Sequence, residues 1–241
     1  MRIALLLFSS LWMFAGNAVI EQALKSPGRL ESDLERDKTS KPGEILAFFG
    51  IEPGMVVADI LAGGGYYTEL LSAVVGEKGH VLSQNNKAYL PFVQKELDQR
   101  KMGERLKNVT VVTRETDALE LGENQYDAVF FILGFHDIYY KDEGWSIDAE
   151  DFMGQLHKAL KPGGKLCIVD HAAAAGTGSA SAQELHRIEP SFAKKAIEGF
   201  GFKFVKSSDV LKSASDDGSV SVFDASIRRK TSRFVYLFEK N

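Results

Sequence analysis

The sequence predicts an α/β protein built on a doubly wound, mostly parallel sheet of seven strands that closes with a terminal antiparallel pair. Three observations carry that expectation. Apolar stretches of strand length alternate with helical patterns from Val56 to Asp170, an alternation that sets parallel strands in one sheet with helices on both faces. The run Val56-Val57-Ala58-Asp59-Ile60-Leu61-Ala62 passes through Gly63-Gly64-Gly65 into the amphipathic Tyr66-Tyr67-Thr68-Glu69-Leu70-Leu71. That is a buried strand turning sharply into a helix, where α/β proteins hold nucleotide-like ligands. Finally, the aromatic-rich segments Phe202 to Lys206 and Phe234 to Phe238 are joined by a polar connection, Ser207 to Ser232, without a crossover helix. Strands joined that way are antiparallel neighbours.

The elements follow in order. Arg2, the apolar run Ile3 to Phe14 and the small residues Ala15-Gly16-Asn17-Ala18 have the pattern of a secretory signal peptide cleaved after Ala18. The run is shorter than the ~20 residues of a spanning helix. A periplasmic or secreted protein without stable membrane insertion is therefore expected. From Val19 to Ser40 the chain is charged and broken by Pro27-Gly28, which predicts a loose arm with one short helix ahead of a domain at 41–241. Pro42 to Phe49 reads as a helix with proline near its start; Gly50 ends it, and Pro53-Gly54 turns the chain into the first strand, Val56 to Ile60.

A helix from Tyr67 to about Val75 comes next, then a second strand, Gly79 to Ser83, and a helix from about Leu90 to Lys101. Val109 to Thr113 and Tyr126 to Leu133 are the third and fourth strands. A helix from about Ala149 to Leu160 ends in the turn Lys161-Pro162-Gly163-Gly164, which leads into the fifth strand, Lys165 to Asp170. The small-residue loop Ala172 to Ala182 offers little packing area and is expected to be a mobile lid, followed by one helix to Gly199.

Charge and cysteine usage narrow the partners. A net charge of −4 and a pI near 5.8 argue against nucleic acid as the main partner, and Arg228-Arg229-Lys230 is a short solvated cluster. The single Cys167 permits no intramolecular disulfide. The oligomeric state is left open.

The glycine cluster after the first strand, the turn Lys161-Pro162-Gly163-Gly164-Lys165-Leu166 and the closing antiparallel pair together resemble a class I S-adenosylmethionine-dependent methyltransferase with its Rossmann-like sheet. More narrowly, Gly63 to Thr68, Asp170-His171, His186-Arg187-Ile188, Val222-Phe223-Asp224 and Lys230-Thr231 resemble a group of exported predicted methyltransferases. Two departures stand out. Leu61 occupies the place of the family's first glycine, and Gln84, Asn85 and Asn86 stand where the family has an acid for the ribose hydroxyls; amides supply no carboxylate. A dinucleotide site needs Gly-x-Gly-x-x-Gly, yet Gly65 is followed by Tyr66, Tyr67 and Thr68. A P-loop is excluded because no Gly-Lys-Ser/Thr follows the glycines.

The resemblance implies S-adenosylmethionine as cofactor and methyl transfer to a small-molecule acceptor, or alternatively a non-catalytic binding module of the same fold. It implies that Gly63, Gly64 and Gly65 hold the methionyl end, with Gly65 bare because the cofactor approaches it. Asp59 would order that loop or meet the cofactor's amino group. Asp117 would meet the adenine amine, or else cap a helix; Tyr67 would face the cofactor or pack its helix. Ligands lie outside the carboxyl ends of parallel strands, and that edge gathers His136, Asp137, Asp170 and His171. Those four would shape the crevice or supply a base. A divalent metal on the four is a further reading, but no His-x-x-x-His spacing supports it, so no metal site is assigned. His186-Arg187 would reach or cap the crevice, and Tyr139, Tyr140 and Trp145 would line the acceptor pocket or pack in the core.

Overall fold

The computed structural model describes residues 16–241. The signal segment expected at 1–18 lies outside them except for residues 16–18, which belong to a helix over 16–24, α1. Then come α2 (Glu31–Ser40), α3 (Pro42–Phe49), β1 (Val56–Ile60), α4 (Tyr66–Val75) and β2 (His80–Asn85). The chain continues through α5 (Leu90–Arg100), α6 (Met102–Arg105), β3 (Val109–Thr113), β4 (Tyr126–Ile132) and a 3-10 turn (His136–Ile138). It ends with α7 (Ala149–Ala159), β5 (Leu160–His171), α8 (Ser181–Leu185), α9 (Pro190–Gly199), β6 (Phe202–Ser208) and β7 (Arg233–Lys240). Among the described residues no helix is long and apolar enough to cross a membrane.

The seven strands form one sheet in the order β3-β2-β1-β4-β5-β7-β6. β1 to β5 are mutually parallel, while β7 runs antiparallel to both β5 and β6. The strand order reverses between β1 and β4, so the crevice at their carboxyl ends is the topological switch point where such sheets bind ligands.

Both faces of the sheet are buried, which is why its central strands are mostly apolar, with Asp59 and Asp170 as buried exceptions near their carboxyl ends. Strand alternation sends Ala58, Val129, Phe131, Leu166 and Ile168 to one face, where Phe152 and Leu156 of α7 and Ile197 of α9 cover them. Val57, Ala128, Phe130, Cys167 and Val169 point the other way, beneath Phe49 of α3 and Leu70 and Leu71 of α4.

Three expectations are corrected. The arm is not loose: α1 and α2 are ordered, Arg29 pairs with Asp37, and the Tyr66 hydroxyl donates to Asp37 Oδ1 at 2.7 Å. Lys161-Pro162-Gly163-Gly164 is not a turn ahead of the fifth strand but a bulge within it. Tyr126 pairs with Leu160 and Ala128 with Lys165, and Asp127 between them receives Lys161 Nζ at 2.6 Å. The helix expected from Ala182 to Gly199 is two helices: His186 takes a left-handed φ of +51° after α8, and Pro190 starts α9.

Candidate active site

The glycine loop is braced by the amides at the end of β2. The Leu61 N–H donates to Gln84 Oε1 at 3.0 Å; the Gly63 N–H donates to Asn85 Oδ1, and Asn85 Nδ2 donates to the Gly63 carbonyl, both at 2.9 Å. Leu61 adopts φ +50° in the turn where the resembled family places a glycine. Gln84 and Asn85 are thus committed to the loop, and Asn86 is the amide of the three that reaches a cavity wall.

Asp59 sits under this junction. It is buried and accepts the Thr68 hydroxyl at 2.6 Å. Burial pushes its carboxyl up to about 7, against the opposing pull of that hydrogen bond. Gly63 has φ +59° and nothing within 4 Å of where a side chain would begin, so it presents bare backbone to open space. Gly64 and Gly65 do not. A Cβ at Gly64 would strike Glu96, and one at Gly65 would lie 2.7 Å from Met102 Sδ. The Gly64 carbonyl also accepts Arg100 Nε. Gly65 is therefore bare because α5 and α6 pack on it, not because a ligand approaches it. Tyr67 is buried, with its ring 5.7 Å from Phe130 and 5.0 Å from Tyr66, which is the packing reading.

Asn86, next to the loop-bracing Asn85, lies on the wall of a cavity of about 410 Å³ that Asp117, Trp145, Ile147 and Asp148 also line. Asp117 is exposed in a turn, and no helix starts there, so the capping reading fails. Trp145 joins this cavity to the neighbouring polar cluster: its Nε1 donates to the Asp137 carbonyl at 2.9 Å, and its ring lies 5.2 Å from that of Tyr89.

The cluster is organised by Asp170 at the end of β5. One carboxylate oxygen accepts the His136 backbone N–H at 2.7 Å; the other accepts the His171 backbone N–H at 2.7 Å and lies 2.8 Å from His136 Nδ1. Asp137 Oδ2 receives the Tyr89 hydroxyl at 2.6 Å, while Oδ1 lies 3.2 Å from His136 Nε2 and 3.8 Å from His186 Nδ1. His171 Nδ1 bonds Thr231 Oγ1 at 2.8 Å. The structure thus brings together all four residues expected at this edge and adds His186, which sequence analysis placed nearby, Thr231, which it named only within the resemblance, and Tyr89, which it missed. Tyr89 carried only a weak signal, its place three residues after Asn86, whose side chain accepts its N–H at 3.1 Å.

Charge separates the two buried-edge histidines. Burial alone would lower His136, but Asp170 and Asp137 outweigh it and hold the imidazole at about 10. Asp137, despite burial, is held below the usual carboxylate range by His136 and by hydrogen bonds from His136, His186 and Tyr89. His171 is pushed well below its ordinary value by burial and then by His136, Arg233 and Arg187. The two carboxylates thus favour the charged form of His136, whereas burial favours the neutral form of His171.

The residues present fit an adenosyl ligand: bare backbone at Gly63, an amide at Asn86, and the free carboxylate of Asp117 on one cavity wall. Residues 58–168 match the family of methyltransferase domains. The chain is 31% identical over 122 residues to the ubiquinone/menaquinone biosynthesis C-methyltransferase UbiE of Shewanella sp. strain ANA-3, a match covering 50% of this chain and 44% of that one. The match therefore spans less than half the length of the curated relative. Among solved structures, a SAM-dependent methyltransferase from Aquifex aeolicus superposes with a TM-score of 0.61 at 21% identity, over 93% of this chain and 98% of that one. The cyclase SpnF superposes with a TM-score of 0.60 at 12% identity, over 89% and 85%. Likeness at such identities is one of fold, and one fold hosts several chemistries. The family match and the sheet order nevertheless agree: residues 58–168 are similar to methyltransferase domains, and the cofactor that this similarity implies is S-adenosylmethionine.

Proposed function

We propose that the protein transfers a methyl group from S-adenosylmethionine to a small-molecule acceptor, and that its N-terminal segment directs it to the periplasm or beyond. The observation that carries the first part is the continuity of the switch-point edge. The Asn86–Asp117 cavity and the Asp170-centred cluster adjoin through Trp145, and Gly63 is held by Asn85, the residue before Asn86 on the cavity wall. When bound, the cofactor supplies an electrophilic methyl group on a sulfonium. The chain's task is then positioning, the largest contribution in an in-line transfer.

His136, whose charged form the two carboxylates favour, offers a hydrogen-bond donor to an anionic or carbonyl oxygen of the acceptor. His171 offers a neutral nitrogen for an acceptor proton that must leave. The other expectation, a binding module that has lost transfer chemistry, is less favoured. The missing acid after β2 motivated it, but Gln84 and Asn85 have a loop-bracing task of their own, and Asp117 still supplies a carboxylate. The export reading rests on the pattern Arg2 to Ala18 alone.

Calorimetry with S-adenosylmethionine and its demethylated product tests the reading directly. Saturable binding of both, followed by transfer of a labelled methyl group to an extract component, is expected. No binding at millimolar ligand overturns it. Fractionation of cells expressing the full chain tests export, and full-length protein confined to the cytosol would sink that part.

A further inference from the structure

The polar cluster contains an arrangement that methyl transfer does not require. His136, Asp137 and His186 each offer one ligating atom, and these atoms all lie within 4.8 Å of one another. Asp137 Oδ1 is 3.2 Å from His136 Nε2 and 3.8 Å from His186 Nδ1. Ligands about 2.1 Å from an ion stand roughly 3.0 to 3.4 Å apart at octahedral or tetrahedral angles, so small side-chain adjustments would close the set. We propose that His136 Nε2, Asp137 Oδ1 and His186 Nδ1 form a binding site for one divalent ion of the first transition row, of the zinc or iron(II) kind, the ion taking the place of the proton on His136 Nε2, which leaves to solvent.

The surroundings of each ligand argue for this beyond proximity. Metal-binding histidines commonly give their second ring nitrogen to a carboxylate, which fixes the ring. His136 does so through Nδ1, 2.8 Å from Asp170 Oδ1. Asp137 is held likewise: the Tyr89 hydroxyl occupies Oδ2 at 2.6 Å, leaving Oδ1 turned toward the histidines. The His186 ring is gripped between Tyr140 and Phe223, with centroids 4.8 and 4.9 Å away, and its backbone is in the left-handed region at φ +51°.

The donor set chooses the class of ion. Two imidazole nitrogens and one carboxylate oxygen suit zinc, iron or cobalt, whereas magnesium and calcium take oxygen ligands. Three protein ligands rather than four leave coordination positions open. The side chains of His136 and Asp137 are 5% and 11% exposed, and that of His186 is 22% exposed, so the site is reached past His186. The ligands come from the 3-10 turn and the end of α8, with no short spacing between them, which is why no local motif announced them.

The test is a titration of the full chain, cleared with a chelator and without S-adenosylmethionine. Co²⁺ is the probe, followed by its visible d–d absorption and by calorimetry. Saturable binding of a single ion is expected, with displacement by Zn²⁺ and no competition from millimolar Mg²⁺. Asp170→Asn should weaken binding about 10- to 100-fold by freeing the His136 ring. His186→Gln should abolish the d–d spectrum while the melting transition stays cooperative. If Asp170→Asn does not fold, His186→Gln, on the more exposed ligand, still decides. No saturable Co²⁺ binding, Mg²⁺ competing equally, or unchanged affinity in a folded His186→Gln protein each overturns the site. Because the cofactor is absent from the titration, that failure would leave methyl transfer standing, and failed cofactor binding would leave the metal site standing.

Discussion

Arg187 and Asp216 face each other as a buried ion pair, with guanidinium nitrogens 2.9 and 3.0 Å from the two carboxylate oxygens. Arg187 also donates to the carbonyls of Val220 at 2.7 Å and Ala172 at 2.8 Å, while Asp216 accepts the N–H groups of Ser232 at 2.6 Å and Gly218 at 3.1 Å. The pair therefore ties the segment after β5 to the polar connection that precedes β7. Removing one member of such a pair strands the other charge. Asp216→Ala should lower stability by about 3–5 kcal/mol. The double variant Arg187→Met/Asp216→Ala should lose clearly less than the sum of the single changes. Denaturant unfolding of all three proteins checks this, and strict additivity would show that the two groups act independently.

Gly63 and Gly65 should separate cofactor binding from stability. Gly63→Ala adds a methyl to open space at φ +59°, so the fold loses only the cost of a left-handed residue, roughly 1–2 kcal/mol. With the cofactor bound against that bare backbone as proposed, adenosyl-ligand affinity should drop sharply. Gly65→Ala drives its methyl into Met102 at φ +82° and should show the larger fall in melting temperature. Calorimetry alongside melts on both variants reads the outcome, and equal cofactor affinity in wild type and Gly63→Ala would move the cofactor away from that loop.

Asp59 makes the fold weaken as pH rises. Its carboxyl sits at about 7 in the folded protein against an ordinary 3.8, so the folded state holds a proton that the unfolded state releases first. This contribution is fully present below about pH 4 and is lost as pH rises through about 7, with a limiting slope near 1.4 kcal/mol per pH unit. Asp59→Asn retains an oxygen to accept the Thr68 hydroxyl and should flatten stability across that window. Urea unfolding at several pH values measures the slope, and identical slopes in both proteins would place the carboxyl in its ordinary range.

The segment Ala172 to Ala182 should be less mobile than its composition suggests. Ala173 N–H donates to the Ile188 carbonyl at 3.0 Å, and Gly178 N–H donates to the Glu189 carboxylate at 2.8 Å, with Glu189 N–H returning to Gly178 at 3.0 Å. Hydrogen exchange should be slow at Ala173 and Gly178 in the ligand-free protein, and Glu189→Ala should speed Gly178 alone. Uniformly fast exchange from 172 to 182 would restore the lid.

Much of the fold was legible because its signals are local. β1 and β3 occupy the expected residues, each an apolar run closed by turn residues. β2 runs two residues further than expected because Gln84 and Asn85, which read as loop, pair with Val112 and Thr113 of β3. The break before α9 was also visible in Pro190, since the residue before a proline avoids helical geometry, but the apolar pattern on either side masked it. At the site, the strand-end rule gathered His136, Asp137, Asp170 and His171. It had no means of pairing Tyr89 with Asp137, or of giving Gly65 a partner in Met102, because such contacts join loops far apart in sequence.

Arg100 bears on the order in which the chain assembles. Its guanidinium meets Asp33 of α2 at 2.6 and 2.8 Å and Glu69 of α4 at 2.6 Å, with all three side chains buried. Asp33 leaves the ribosome well before its partner, across a sequence separation of 67 residues, and burying it unpaired is prohibitive. The segment around Asp33, made before its partners, is thus among the last to dock, after α4 and α5 have formed against the sheet. Loops of that length close slowly compared with neighbouring strand pairs. During synthesis residues 29–40 thus stay exposed until α5 is in place, and they are covered in the same event that clamps the carbonyl of Gly64 through Arg100.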